Sequence, residues 1–478
     1  MKPNWTTFSP DKFAPLFRFS ALLTVAGLLL LFVVPVRGTT LLNPLPENST
    51  TLFGLAIAAV GDVDGDGVPD LAVGEPFADG EFDGPAGFGP PQNVGRVFVI
   101  SGADQRVIRK LEDPVYQKMT SEKFAGQLGS SVATAGDLNG DGVPDILAGV
   151  PHHKDGIDPL TGFELISVGR AYVFSGKDGS VLLTLDVPGP EENARAGLSV
   201  AGLGDINSDG KPDFVVGAPG KNIGVGEGGK TDVGVAYFFS GADGSLIRSL
   251  SDPDSTVGAL YGFAVANAGD VDGDGISDAL VGAPGKGQVF ISSGKTGLLL
   301  FTLKSPVREK RNSFGHAVAG GKDFDGDGKP DFVIGSPLLK NSQGGVSIFK
   351  GSDGKLLRSL RIPSPQNFAR AGASVAAIDD VTGDGRADIM VGVPEHDVNG
   401  FTNAGETVIF DGARGAVFRT LTSEVPQAFA GFGASVTAVD FTGSVTPVIG
   451  APYQNADLID PEDGDLDTHI QIGQIELQ

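Results

Sequence analysis

Short apolar runs alternate with compact polar clusters rich in Asp and Gly along most of this 478-residue chain. In residues 54–76, GLAIAAVGDVDGDGVPDLAVGEP, an apolar run leads into Asp62, Asp64 and Asp66 on alternate positions. Gly67, Asp70, a second apolar run and Gly74-Glu75-Pro76 follow. Glycines equivalent to Gly54 recur at Gly129, Gly197, Gly262, Gly315, Gly372 and Gly433, which makes seven copies. In the first six, an Asp stands eight residues after this glycine and the Gly of a Gly-x-Pro closure twelve residues later. The copies start 53 to 75 residues apart, so the variation lies outside a constant cassette.

Each copy predicts four short strands. The first precedes the Asp cluster (SVATAG) and the second follows it (PDFVVG). The third is rich in aromatic and β-branched residues (RVFVISG, RAYVFSG, VAYFFSG), suited to a pleated, half-buried surface. A turn such as Gly241-Ala242-Asp243-Gly244 leads to the fourth, SLIRSL. Repeated four-stranded antiparallel units predict an all-β fold, a seven-bladed β-propeller occupying residues 39–478 as one domain. The seventh copy ends at its third strand, GQIELQ, while TTLLNPLP at residues 39–46 matches a fourth strand in position and pattern. Pairing of these two segments is expected to close the ring.

Composition narrows the function. A hydrophobic content of 40% is enough for a core, and 72 Gly with 31 Pro describe a turn-rich chain. The net charge of −24 argues against a nucleic-acid partner, since phosphate binding needs basic patches. The absence of cysteine excludes disulfides, thiolate metal sites and cysteine nucleophiles. Residues 1–38 have a secretory layout, with Lys2, Lys12 and Arg18 ahead of an apolar run from Ala21 to Val36. A cleaved signal is expected, with an uncleaved anchor, and hence membrane attachment, as the alternative. The expected location is secreted or cell-surface, extracellular or periplasmic. Asn48 heads a glycosylation sequon.

The Asp clusters carry the candidate chemistry. Three carboxylates this close repel one another unless a hard cation holds them, and Ca²⁺ takes roughly six to eight oxygens. Residues 62–67 match the start of an EF-hand loop, but position twelve is Val73 rather than Glu. Ligation should therefore end at the ninth residue, Asp70, with Val68 offering its carbonyl oxygen.

The chain resembles the FG-GAP repeat family, the propeller of integrin α subunits. Phe53-Gly54, Phe314-Gly315 and Phe432-Gly433 match its first element, and Gly217-Ala218-Pro219, Gly282-Ala283-Pro284 and Gly450-Ala451-Pro452 its last. The resemblance implies Ca²⁺ at five loops: Asp62, Asp64, Asp66, Asp70; Asp137, Asn139, Asp141, Asp145; Asp205, Asn207, Asp209, Asp213; Asp270, Asp272, Asp274, Asp278; and Asp323, Asp325, Asp327, Asp331. The position-seven carbonyls after Val68 are those of Val143, Lys211, Ile276, Lys329 and Arg386. A sixth, weaker site would use Asp380, Thr382, Asp384 and Asp388, where a hydroxyl replaces one carboxylate. Copy seven has Phe441 in the first ligand position, and no ion is expected there. The calcium is expected to be structural. Integrin α subunits continue beyond the propeller, whereas this chain stops with it, so no integrin β-subunit partner is expected.

In an up-and-down blade the Asp loops share one face with the third-to-fourth turns. The opposite face receives the long segments 77–94, 152–168, 220–233, 395–404 and 453–472, which makes it the expected recognition face. His152, His153, His396 and His469 fall there with Asp155, Asp158, Asp397 and acidic residues between 460 and 467. No pair among them has a spacing that fixes metal geometry, so solvated polar loops are the preferred reading. His316, in a first strand, is expected to be packed. The expected function is a non-enzymatic binding or adhesion module for an extracellular protein or glycan. The alternative is an extracellular hydrolase or lyase on the loop face, although no nucleophile motif such as GxSxG is present.

Overall fold

The computed structural model describes residues 39–42, 51–80, 92–115, 126–157, 162, 164–224, 229–309, 311–441, 443–454, 458–459, 466–467 and 474–477. Six sheets are each built from four consecutive antiparallel strands. The first comprises Ala56–Gly61, Asp70–Glu75, Arg96–Ile100 and Val107–Glu112. The second comprises Val132–Gly136, Asp145–Val150, Arg170–Phe174 and Val181–Asp186. Four more follow over residues 199–251, 264–304, 318–360 and 374–421. A further four-stranded sheet is composite. Ser435–Phe441 pairs with Ser444–Ala451, which pairs with Gln474–Leu477, and that strand takes Thr39–Leu42 as its outer neighbour. The expected junction of the two chain segments thus forms through residues 39–42, while 43–46 lie outside the described residues.

Burial follows position within each sheet. Second strands such as Asp213–Ala218 are buried at every residue because both their faces meet neighbouring sheets, and so they read as continuous apolar runs. Fourth strands face solvent on one side: in Val181–Asp186, Leu185 is buried while Thr184 and Asp186 are exposed. The cores lie between sheets. Leu147 and Val173 of the second sheet pack with Phe214, Val216 and Tyr237 of the third, and Ala72 and Val97 of the first with Ile146 and Tyr172 of the second. Successive first strands pack against one another, and Ser435–Phe441 returns to Ala56–Gly61. The result is an all-β propeller of four-stranded antiparallel blades.

The recurrent glycines are the joints between blades. A Cβ on Gly217 would lie 1.9 Å from the carbonyl oxygen of Gly262, the first glycine of the next cassette, and one on Gly74 2.0 Å from that of Gly129. The same approach recurs from Gly450 to Gly54, at 2.2 Å, where the circuit closes. Ser435 adds a hydrogen bond there, its Oγ donating to the Gly54 carbonyl at 2.6 Å. Glu75, where the other copies carry Ala, Val or Ser, is buried against the guanidinium of Arg96.

Candidate metal centres

Each Asp cluster joins a first strand to a second, and the backbone shapes it before any ion enters. In the first loop the Asp62 carboxylate accepts the N–H groups of Gly65 at 2.7 Å and Gly67 at 2.9 Å, while Asp66 accepts that of Val68 at 2.8 Å. Gly65 and Gly67 have φ of 81° and 85°, which turn the chain back over the carboxylates. Backbone donors hold Asp137 and Asp380 below the usual carboxylate range; in each case the largest contribution is the N–H of the loop's second glycine, Gly142 or Gly385.

The ninth-position aspartates behave differently. Asp70, Asp145, Asp213, Asp278, Asp331 and Asp388 are all buried, and both oxygens of each accept backbone N–H groups. One bond comes from within the loop and the other from the glycine that opens the third-to-fourth turn. Asp213 thus accepts from Ile206 and Gly241, each at 2.9 Å, and Asp388 from Val381 at 2.8 Å and Gly412 at 3.0 Å. Burial nevertheless pushes the Asp70 and Asp331 carboxyls up to about 6 and raises the other four. These residues staple the loop to the adjacent turn, a role that ligand counting in the sequence does not reveal.

Three loops bring at least three carboxylates together with one oxygen from each within 4.8 Å of the others. They are Asp62, Asp64 and Asp66; Asp270, Asp272 and Asp278; and Asp323, Asp325 and Asp331. These all-oxygen donor sets fit a hard divalent cation. In the second and third loops an amide takes the third position, and Asn139 and Asn207 donate Nδ2 to Asp141 at 3.0 Å and to Asp209 at 2.7 Å. In the sixth, the Thr382 hydroxyl lies 3.3 Å from Asp380 and 3.4 Å from Asp388. In copy seven, Ser435–Phe441 pairs with Ser444–Ala451, with Phe441 opposite Ser444.

Basic residues of the neighbouring turns were not anticipated. Arg106 meets Asp64 at 2.6 Å, Lys350 pairs with Asp325, and Arg414 meets Asp384 at 3.2 Å. The signal lay in their place just beyond the third strand, once that strand is set beside the loop. Lys329, at position seven, reaches back to the Val271 carbonyl of the preceding blade at 3.0 Å, so this face also ties blade to blade.

On the opposite face the described histidines are not gathered into one site. His153 is buried on the second blade, where burial pushes it down to about 3. His152 contacts the Ser167 hydroxyl at 2.9 Å. His396, on the sixth blade, faces Glu406 at 3.6 Å, and burial raises the Glu406 carboxyl. Asp155 approaches Arg170 at 3.4 Å, and Asp397 accepts a bond from Gln366 at 2.9 Å. Asp158, His469 and residues 460–465 lie outside the described residues. His316 packs on Phe263, with ring centroids 4.9 Å apart. Sequence reasoning also passed over two aromatic residues. Phe368 and Phe429 have φ of 68° and 64° and are 66% and 58% exposed. Asn193 holds the equivalent turn position with φ of 63°. Phenylalanine is disfavoured there both by backbone conformation and by exposure. Among the described residues no helix is long and apolar enough to cross a membrane.

Comparison with known proteins agrees with this architecture. The FG-GAP repeat model matches residues 53–100, 128–162, 196–239, 314–349 and 371–410. Human integrin alpha-IIb is 30% identical over 253 residues, covering 52% of this chain and 21% of that protein. Integrin alpha pat-2 of Caenorhabditis briggsae is 31% identical over 237 residues (44% and 18%), and Xenopus laevis integrin alpha-5 is 29% identical over 250 residues (51% and 21%). The matched part spans about a fifth of the length of these relatives.

Proposed function

Because the chain is an integrin-alpha-like FG-GAP repeat protein, we propose that it is a secreted, calcium-binding, seven-bladed propeller acting as a binding or adhesion module. Residues 1–38 serve as the export signal, and residues 39–478 form the ring, with the composite sheet as its seventh blade. Calcium is held by the carboxylates at positions one, three, five and nine of the first five loops, with Asn139 and Asn207 standing in at two of them. Val68 and its counterparts add carbonyl oxygens, and the loop at Asp380, Thr382, Asp384 and Asp388 binds more weakly. The bound ion would supply neutralisation of clustered charge and a cross-link between loop strands. Extracellular-type sites have Kd of about 10⁻⁴ to 10⁻³ M, and occupancy at ten times Kd adds roughly 1.4 kcal/mol per site. Thermal melts should therefore rise by several degrees on calcium addition and fall with a chelator. Melts that do not respond to either would sink the calcium assignment.

The observation that carries the recognition face is the exposed aromatic pair. Phe368 and Phe429 flank the sixth blade on the side away from the calcium loops, held in backbone conformations that disfavour Phe. Exposed aromatics on rigid turns provide contact area for a partner at low entropic cost. The partner is an extracellular protein or a glycan. The test is to screen the calcium-loaded protein on glycan and matrix-protein arrays beside a Phe368→Ser, Phe429→Ser double variant. Retention of every hit by the variant would refute this face as the binding surface.

A further inference from the structure

The fifth blade differs from the four before it at one residue of its third strand, and the sixth holds Val408 there. In the third strand, the position opposite the middle of the second strand holds Phe98, Tyr172, Tyr237 and Phe290 in the first four blades. In the fifth blade it holds Ser347, opposite Ile334. Ser347 lines a cavity of about 460 Å³, open to solvent on the side of the second-to-third loops. This lies within the range of small-ligand sites. Four serine hydroxyls line it, from Ser305, Ser336, Ser347 and Ser359, the last two 3.4 Å apart across the strand pair. Ser336 and Ser347 are themselves almost fully buried. Leu339 supplies an apolar wall.

Its charge is unlike that of the rest of the molecule. The chain carries 59 acidic against 35 basic residues, yet the lining contains Lys340 and Arg361 and no acid; the carboxylate beside it, Glu309, is occupied by the Lys340 backbone N–H at 3.1 and 3.2 Å. Both basic side chains are exposed. The wall carrying Lys340 is also strained: Lys340, Asn341 and Ser342 have φ of 51°, 55° and 60° in succession, a run L-residues avoid. Neighbouring backbone holds it in place, with Phe368 donating to the Asn341 carbonyl at 3.1 Å and Arg370 to that of Ser342 at 2.8 Å. Strain maintained in this way is characteristic of ligand clamps. It also ties the cavity wall to the turn bearing the exposed Phe368.

We propose that this cavity is a binding site for an acidic sugar, a uronate unit presenting hydroxyls and one carboxylate. The buried serines exchange hydrogen bonds with the sugar hydroxyls, Leu339 packs on its C–H face, and Arg361 and Lys340 receive the carboxylate. The inference names a ligand class for the loop face and rests on that face being the recognition surface, but it uses none of the long loops and no calcium.

The test titrates the calcium-loaded protein with glucuronate, galacturonate, glucose and acetate, followed by ligand-observed NMR. At least one uronate should bind, with glucose and acetate each about tenfold weaker or more, as expected when a charge-assisted bond or the hydroxyl contacts are lost. Ser347→Phe, which introduces the ring found in the first four blades, should abolish binding without lowering the melting temperature. Arg361→Ala, at the exposed rim, should bring uronate binding down to the level of glucose. Binding of neither uronate, equal binding of glucose or acetate, or binding unchanged in both variants would overturn the proposal. If array hits sensitive to Phe368 and Phe429 persist while uronates fail, the cavity assignment alone is lost and the recognition face stands.

Discussion

Gly217 and Gly65 show two reasons for one residue type. Gly217 has no room for a side chain, because a Cβ would sit 1.9 Å from the Gly262 carbonyl oxygen, which is backbone and cannot move aside. Gly65 has open space around it and is required only for its φ of 81°. Gly65→Ala should cost about 1–2 kcal/mol, the left-handed penalty of an L-residue. Gly217→Ala should cost well over 3 kcal/mol, because two blades must part. Denaturant titration of both variants in chelator distinguishes them, and equal losses would refute the blade-joint role. The spacing of these glycines was legible in the sequence, but their purpose was not, since the atom each one meets belongs to another repeat. A second residue-scale expectation concerns His153. Its folded-state pKa is about 3 and its unfolded value about 6.5, so its contribution to stability is complete above pH 6.5. That contribution is lost as pH falls, because the unfolded chain takes up a proton the folded chain refuses. The loss reaches up to about 2 kcal/mol by pH 5. The buried aspartates, with raised values, act in the opposite sense, so the difference between wild-type and His153→Gln profiles isolates the group. Superimposable profiles between pH 5 and 7 would refute it.

The loop and its facing turn form one element because of the ninth aspartate. Asp213 receives one N–H from Ile206 in its own loop and another from Gly241, beyond the third strand. Asn at this place has one accepting oxygen and sets an NH₂ against the second donor. Asp213→Asn should therefore destabilise by about 1–3 kcal/mol even in excess chelator. Asp209→Asn, whose carboxylate is exposed, should have little effect under chelation and lower the calcium dependence instead. If Asp213→Asn matters only when calcium is present, the residue is a ligand and not a staple. At this scale the sequence was informative about strands, since the buried second strands follow directly from their apolar patterns; the third strands, expected to be half-buried, are buried almost throughout because neighbouring blades cover both their faces. The arms of Arg106, Lys350 and Arg414 could not be read, because which turn overlies which loop depends on pairing across a strand. The exchange of an aromatic residue for Ser347 was visible in principle. It acquires meaning only when the strand register places it opposite Ile334 and beside Ser359.

Closure of the whole ring rests on two junctions made by sequence-distant segments. On the inner side the Gly450–Gly54 approach and the bond from Ser435 Oγ repeat the joint used between other blades. On the outer side Thr39–Leu42 covers Gln474–Leu477, pairing Thr39 with Leu477 and Leu42 with Gln474. Without the outer strand, Gln474–Leu477 would become an edge with unpaired N–H and C=O groups, which invites pairing with another chain. A variant spanning residues 47–478 is thus expected to melt lower than one spanning 39–478. It should also self-associate as its concentration rises, since one blade is left with three strands while the inner joint still holds. A synthetic TTLLNPLP peptide added in excess should reverse both effects, because the strand acts through backbone pairing and need not be covalently attached. Light scattering and thermal melts with and without the peptide decide the matter. A truncated protein that stays monomeric with an unchanged melting temperature would show that the inner glycine joint closes the ring unaided.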